Sequence, residues 1–455
     1  MSPVTDPTHS GKRWRFVIAV AFVVLFGAGL RTLYVLTAQA EPPIYGDGVQ
    51  YMAYAWNLLH HGVFSCSIPG STEVAPDGYR GPGYPLFLAA ALTSGRDDVG
   101  KALGYIYAGQ VVLGTATVLL TIALARLWLG RCAGILAGLL IACWPHLISF
   151  CGVVMSETLF GFLLVLGIWL LALGVRRAAG WLLALSGLVL GAAYLVNPIV
   201  LFFPIAAALV VMRRWNWRAG ALLAVCFAIA PFAWNLRDAN LPLQYGASRR
   251  AMENFVQGSM PLYMRAFNSR WVNADAKRIV DAATSETVIM FDDPRAGLVD
   301  VLGRIRQQPL TYLSWYLLDK PWQLWAWPII IGSGDIYYSP TQHSPFARIF
   351  LLKCMKSAIE WMNPAIFALA LLTAGGVLVR AGRRTQMPFP AIVIVLFVIY
   401  VTAIHMVFQS EPRYSIPYRP FEVLLALAGA TEVIRRFLMR GQRASPTHSH
   451  QQTDD

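Results

Sequence analysis

Apolar runs of about 20 residues, the length a helix needs to cross the ~30 Å hydrocarbon core, recur along this chain. Lipid cannot satisfy free backbone groups, so each run is predicted to be a helix that bonds internally. The runs place about ten transmembrane helices (ten to twelve) near 16–37, 102–127, 132–150, 155–174, 180–197, 198–212, 219–235, 357–379, 387–408 and 417–438. The first run, Phe16 to Leu36, is too long for the apolar core of a signal peptide. No small-residue cleavage site follows it, so it is expected to stay as a span.

The polar stretches divide the chain. Residues 1–15 are expected to form a cytoplasmic tail, and 16–235 a seven-helix membrane module with an outer loop over 39–100. An outer, membrane-hugging segment over 236–356 follows, then three C-terminal helices over 357–440 and a disordered cytoplasmic tail over 441–455. No internal repeat is visible. Within the first outer loop, Val49 to Leu59 has no Gly or Pro and carries Tyr51, Tyr54 and Trp56, as a helix lying in the membrane interface would. Tyr84 to Leu92 is apolar but too short to span, and predicts a second interfacial or re-entrant helix behind Arg80-Gly81-Pro82-Gly83. Tyr312 to Ile331 is long enough to cross. Its central Asp319-Lys320-Pro321 and its four tryptophans keep it outside.

Composition agrees with a membrane protein. The 455 residues are 56% hydrophobic and 13% charged, with mean hydropathy +0.52; a soluble domain carries about 25% charged residues. Net charge is +13, and its distribution argues against nucleic acid. The segments on one side, including Lys12-Arg13-Trp14-Arg15, Arg176-Arg177, Arg213-Arg214 and Arg435-Arg436, hold seventeen Lys and Arg against four Asp and Glu. The remaining twenty of each sign cancel. The basic face belongs to the cytoplasm, which puts both termini there. Six cysteines show no metal-binding spacing. Cys66 and Cys354 both fall in outward segments and could pair, but with no second pair to suggest a disulfide framework the bridge is not the expected state.

Ionisable groups close to bilayer depth are candidates for function. Asp47 stands between Gly46 and Gly48, just after the first span. Its simplest role is an N-cap of the interfacial helix; the alternative is a carboxylate that takes a proton from a hydroxyl substrate. Glu157 opens the fourth span on the same face, where the helix dipole favours it with Ser156 as cap. Arg413, in Glu411-Pro412-Arg413-Tyr414, is a cation on the non-cytoplasmic side against the local trend, and a guanidinium suits phosphate. A guanidinium snorkelling to lipid headgroups is the alternative. Lys320 and Arg80 are further candidates for phosphate. His60 and His61 point to different faces of a helix and do not suggest a shared metal.

In this order these motifs resemble a family. Asp47 with Tyr51 and Ala55, then Arg80-Gly81-Pro82-Gly83-Tyr84-Pro85, are similar to the first outer loop of the dolichyl-phosphate-mannose–protein mannosyltransferase superfamily, whose bacterial members include the aminoarabinose transferases of lipid A. Ser156-Glu157-Thr158-Leu159 resembles the element opening its fourth span, and Arg413-Tyr414-Ser415-Ile416-Pro417 its C-terminal Arg-Tyr-x-x-Pro. The resemblance implies an all-α polytopic enzyme of the GT-C fold. Such an enzyme moves a sugar from a polyprenyl-phosphate donor to a lipid, glycan or protein acceptor outside the cytoplasm, usually with inversion; a bacterial inner membrane is the implied location. In those terms Asp47 is the base, Arg413 with Lys320 and Arg80 would meet the donor phosphate, and Glu157 would orient the acceptor or help hold a divalent ion. No cofactor is required by the pattern. Many relatives pair two acidic residues in the first loop, whereas Gly48 follows Asp47 here. The competing classes are a transporter or flippase of lipid-linked sugars and a non-catalytic assembly subunit. Transporters tend to show repeats and midplane sites, and neither is seen.

Overall fold

The computed structural model describes residues 7–71, 73–242, 245–383 and 387–444. The chain begins with the long helix α1 (Pro7–Thr37), whose end is tied down by a two-residue strand, β1 (Gln39–Ala40). The first outer loop then folds into α2 (Asp47–His61) and α3 (Gly83–Ser94), which pack on each other as the two short helices expected there. The membrane module continues with α4 (Val99–Arg126), α5 (Arg131–Cys143), α6 (Pro145–Ser149), α7 (Glu157–Arg177), α8 (Gly180–Val196), α9 (Phe203–Arg214) and α10 (Trp217–Asp238).

All ten apolar runs are helical, and the protein is an integral, multi-pass membrane protein. Among the described residues six helices are long and apolar enough to cross a bilayer on their own, those of α1, α4, α7, α10 and two near the C-terminus. Four of the ten runs are not among these six: 180–197, whose α8 is only 17 residues long, 417–438, which begins in a 3-10 turn, and two that break. The 132–150 run is a bent pair, turning by 59° between α5 and α6. Pro145 disfavours helical backbone at the residue before it, and Trp144 is extended there. The 198–212 run opens with a short turn at Pro198–Val200 and leaves α9 only 12 residues long.

The outer segment is more organised than the sequence suggests. Helices α11 (Ala247–Ser259), α12 (Tyr263–Ser269), α13 (Ala274–Asp292) and α14 (Pro294–Gln307) form a helical cap. Its small apolar centres join Val256, Met290 and Val301, and Met260, Tyr263, Met264 and Ala283. The 312–331 stretch is broken: α15 (Pro309–Ser314) passes through a π turn over Trp315–Asp319 into α16 (Lys320–Trp325), and helix stops there. A loop then carries β2 (Thr341–Gln342), which pairs antiparallel with β1, Gln39 opposite Gln342. This pairing fastens the 326–344 loop beside the entrance to α2.

The chain closes with α17 (Pro345–Arg348), α18 (Phe350–Gly382), α19 (Phe389–Val407), a 3-10 turn over Pro412–Tyr418 and α20 (Arg419–Ala444). Helix α7 lies at the centre, packed on α4, α8, α19 and the 412–418 turn. Its first turn therefore faces the outer loops. Cys66 and Cys354 are both free. The C-terminal tail expected to be disordered lies, from residue 445 onward, outside the described residues.

Candidate active site

Asp47 is the first residue of α2, but its side chain makes no capping hydrogen bond. The backbone around it is fixed instead by its glycines. Gly46 has φ +57°, and a Cβ there would collide with the Tyr338 hydroxyl. That hydroxyl accepts a hydrogen bond from the Asp47 N–H at 3.2 Å. A Cβ on Gly48 would lie 2.7 Å from the Val154 carbonyl oxygen. The missing second acidic residue thus has a steric cause: α2 sits too close to the 150–156 segment for any side chain at this position.

The Asp47 carboxylate is held from two sides. Arg80 donates Nη2–H to Oδ1 at 2.8 Å, and Arg413 donates Nη2–H to Oδ2 at 3.1 Å. Arg80 is buried behind Asp47. Its Nε–H reaches Gln50 Oε1 at 2.9 Å, and its guanidinium lies over the rings of Tyr51 and Tyr79. Arg413 is buried against the Tyr338 and Tyr414 rings. Its Nε stands 3.6 Å from Glu157 Oε1 and 3.7 Å from Glu411 Oε2. Glu411 is fully buried and accepts from the N–H groups of Ile330 and Arg413, both at 2.8 Å, so it braces the turn that carries the arginine. Burial opposes ionisation of Asp47, but Arg80, Arg413 and Arg250 together outweigh it and hold the carboxyl below the usual carboxylate range.

Glu157 opens α7 as expected. Ser156 precedes it but makes no side-chain cap; its hydroxyl lies 3.4 Å from that of Tyr51. Three buried polar atoms here have no hydrogen-bond partner; Arg413 Nε at least has two carboxylates at ion-pair distance, whereas Glu157 Oε2 and Arg413 Nη1 have none. Buried polar groups are nearly always bonded, so both point to a missing ligand.

These side chains line a cavity of about 310 Å³. Asp47, Glu157, Arg413, Arg250 and Asn254 supply polar side chains to its lining, while Ile199, Leu201, Phe202, Ile404 and Phe408, from the α8–α9 turn and from α19 and its end, supply apolar ones. The bundle thus brings together Asp47, Glu157, Arg413 and, behind them, Arg80. Lys320 is not among them. Its ammonium is buried, donates to the Gly258 carbonyl at 2.8 Å, and faces the rings of Tyr316 and Trp315. His60 stacks on Trp56 and lies 3.6 Å from Asp97, away from the site. Arg250, Tyr338 and Glu411 were not singled out from sequence. Arg250 carried the same signal as Arg413, a cation on the face where basic residues are not in excess.

A divalent ion held by carboxylates does not fit this arrangement. Such ions take several oxygen ligands, yet both Asp47 oxygens hold guanidinium groups and Glu157 Oε1 faces Arg413. Among the described residues no group of three His, Cys, Asp or Glu side chains is gathered to hold one.

No protein-family model matches this chain, and no curated protein does. Solved structures do. The chain is similar to the archaeal oligosaccharyltransferase AglB from Archaeoglobus fulgidus, in complex with an inhibitory peptide and a dolichol-phosphate. The TM-score is 0.50 at 14% identity, over 96% of this chain and 52% of that one. The same oligosaccharyltransferase tethered to an acceptor peptide gives 0.52 at 13% identity, over 94% and 51%. ArnT from Cupriavidus metallidurans bound to undecaprenyl phosphate aligns over 96% of this chain and 82% of its own at 13% identity, with TM-score 0.38. The chain spans about half the length of the oligosaccharyltransferase it matches. The fold is that of the GT-C membrane glycosyltransferases.

Proposed function

We propose that this protein is a glycosyltransferase that moves a sugar from a polyprenyl-phosphate donor to a lipid, glycan or protein acceptor on the non-cytoplasmic face, with inversion. The observation that carries this reading is one cavity whose lining joins charged groups to an apolar surface. A prenyl chain matches the apolar surface, and the phosphate-linked sugar matches the charged groups of Asp47, Glu157 and Arg413. The charge asymmetry of the chain supports an inner-membrane setting with both termini in the cytoplasm.

The residues suit the chemistry. The acceptor oxygen attacks the anomeric carbon, and its proton passes to the Asp47 carboxylate. The bond from that carbon to the phosphate oxygen breaks, and the electron pair leaves on the phosphate. Arg413, whose Nη1 has no partner, stabilises the departing charge. Glu157 offers its free Oε2 to orient the acceptor hydroxyl. Arg80 fixes Asp47 from behind. A donor phosphate draws Arg413 away from Asp47, which weakens the charge holding that carboxyl down and restores its basicity when the donor is present.

The test is transfer from a defined polyprenyl-phosphate sugar in nanodiscs. Asp47→Asn should retain donor binding and a folded protein but lose at least ~100-fold in rate, the low end for general base catalysis. Normal turnover by a stable Asp47→Asn protein would remove Asp47 from the mechanism.

A further inference from the structure

The cap contributes a cation that the reaction scheme above does not use. On α11, Ala247, Arg250, Ala251 and Asn254 recur at helical spacing, and all four line the cavity. The opposite face, Met252, Phe255 and Val256, packs into the cap with Met290 and Val301. The helix is thereby set with one face turned to the site.

The other charges on α11 are committed. Glu253 accepts from the Tyr79 hydroxyl at 2.6 Å and from Arg249 Nε–H at 3.2 Å. Tyr79 in turn carries the Arg80 guanidinium on its ring, so α11 is anchored to the arginine that backs Asp47. Arg413, the other arginine lining the cavity, is spent on Asp47 and beside Glu157. Arg250 is half-buried and lines the cavity; among the described residues its guanidinium acts on Asp47 and Tyr79 through charge alone, with no hydrogen bond or ion pair, and the side chain of Asn254 makes no hydrogen bond. Alanines one position after and three before Arg250 leave open space beside it. A cation without a hydrogen-bonded partner, partly withdrawn from water beside a cavity, is placed for an anionic ligand.

We propose that Arg250, with Asn254 beside it, captures the phosphate of the lipid-linked donor, which makes the cap part of the donor site. This rests on the glycosyltransferase reading and adds a phosphate ligand to it. Arg250 meets the anion first because no carboxylate is hydrogen-bonded to it, and Arg413 is drawn from Asp47 only once the phosphate is seated.

The experiment measures binding of undecaprenyl phosphate and of undecaprenol to the full-length protein in nanodiscs. Wild type should bind the phosphate more tightly than the alcohol. Arg250→Ala should lose about tenfold or more for the phosphate, the scale of one charge-assisted contact, with undecaprenol binding and melting temperature unchanged. Arg250→Lys should recover part of the loss. If wild type prefers the phosphate but Arg250→Ala and Arg250→Gln bind it equally well, the inference is overturned while the glycosyltransferase reading stands. If wild type shows no preference for the phosphate, that reading fails first. Equal losses for phosphate and alcohol would mark a structural effect and overturn the role of Arg250. Competition by inorganic phosphate as effective as that by the lipid would assign the site to a soluble anion and overturn it too.

Discussion

Arg413 and Asp47 stand 366 residues apart in the chain and meet through a hydrogen bond of 3.1 Å. The contact closes the GT-C bundle on itself, joining the first outer loop to the turn before the last helix. It also restrains the proposed base, because two guanidinium groups share one carboxylate.

That restraint predicts a pH effect. Arg413→Gln removes one of the charges that lower the Asp47 carboxyl but leaves the burial that raises it, so its folded value moves up from the depressed range. A base acts deprotonated, so the acid limb of kcat/KM, which reads the enzyme before the donor draws Arg413 away, should shift to higher pH in the variant. Stability follows the same sign. A depressed carboxyl stabilises the fold fully above its ordinary value of 3.8, and that contribution is lost as pH falls toward the folded value. Melting temperature in wild type should therefore drop on acidification more steeply than in Arg413→Gln. Superimposable acid limbs in the two proteins would show that Asp47 does not set the rate.

The close approach at Gly48 makes a second case. A side chain there meets the Val154 carbonyl at 2.7 Å, and backbone does not give way cheaply. Gly48→Asp, which would recreate the paired carboxylates of many relatives, should cost about 1–3 kcal/mol, as overpacking does, and should lower transfer. A Gly48→Asp protein as stable and active as wild type would show that α2 can move off the 150–156 segment.

Chelation separates guanidinium from metal chemistry. With both Asp47 oxygens engaged by arginines, treatment with EDTA should leave transfer unchanged. A loss of tenfold or more, restored by a divalent ion, would mean that a metal takes the place of the arginines at Asp47 in the working enzyme.

The bundle was legible because membrane spans are written in long apolar runs, and α2 and α3 because aromatics or short apolar stretches marked them. The cap was not: α11 to α14 are polar helices whose apolar stripes, such as Val256 with Met290 and Val301, are only a few residues wide. Asp47, Glu157 and Arg413 stood out as charges on the outer face, and their side was enough to suggest a joint role. Tyr338 left no such trace, since a loop without periodicity delivers it and a two-residue strand pair sets its position. For Lys320 the segment was recognised, yet the direction of its ammonium depends on contacts with Gly258 that composition does not encode.

Lys320 supplies the last prediction. Taken from sequence it is a phosphate ligand; in the fold its ammonium is turned to the Gly258 carbonyl, which Trp315 Nε1–H also reaches at 3.1 Å. Lys320→Met fills similar space, leaves Gly258 its bond from Trp315, and removes a buried charge. Transfer and donor binding should stay within a few fold of wild type. Burial draws the Lys320 ammonium down to about 7 from 10.5. A depressed lysine stabilises the fold fully only above its unfolded value, and that stabilisation is lost as pH falls through the folded one. Wild type should therefore gain stability relative to Lys320→Met as pH rises from about 7 toward 10, with the variant at its relative best near and below neutral. The comparison is made by melting temperature across that range, with transfer measured beside it. A folded Lys320→Met protein that no longer binds the donor would return Lys320 to the phosphate site and require the 409–411 turn and α16 to rearrange when the lipid binds.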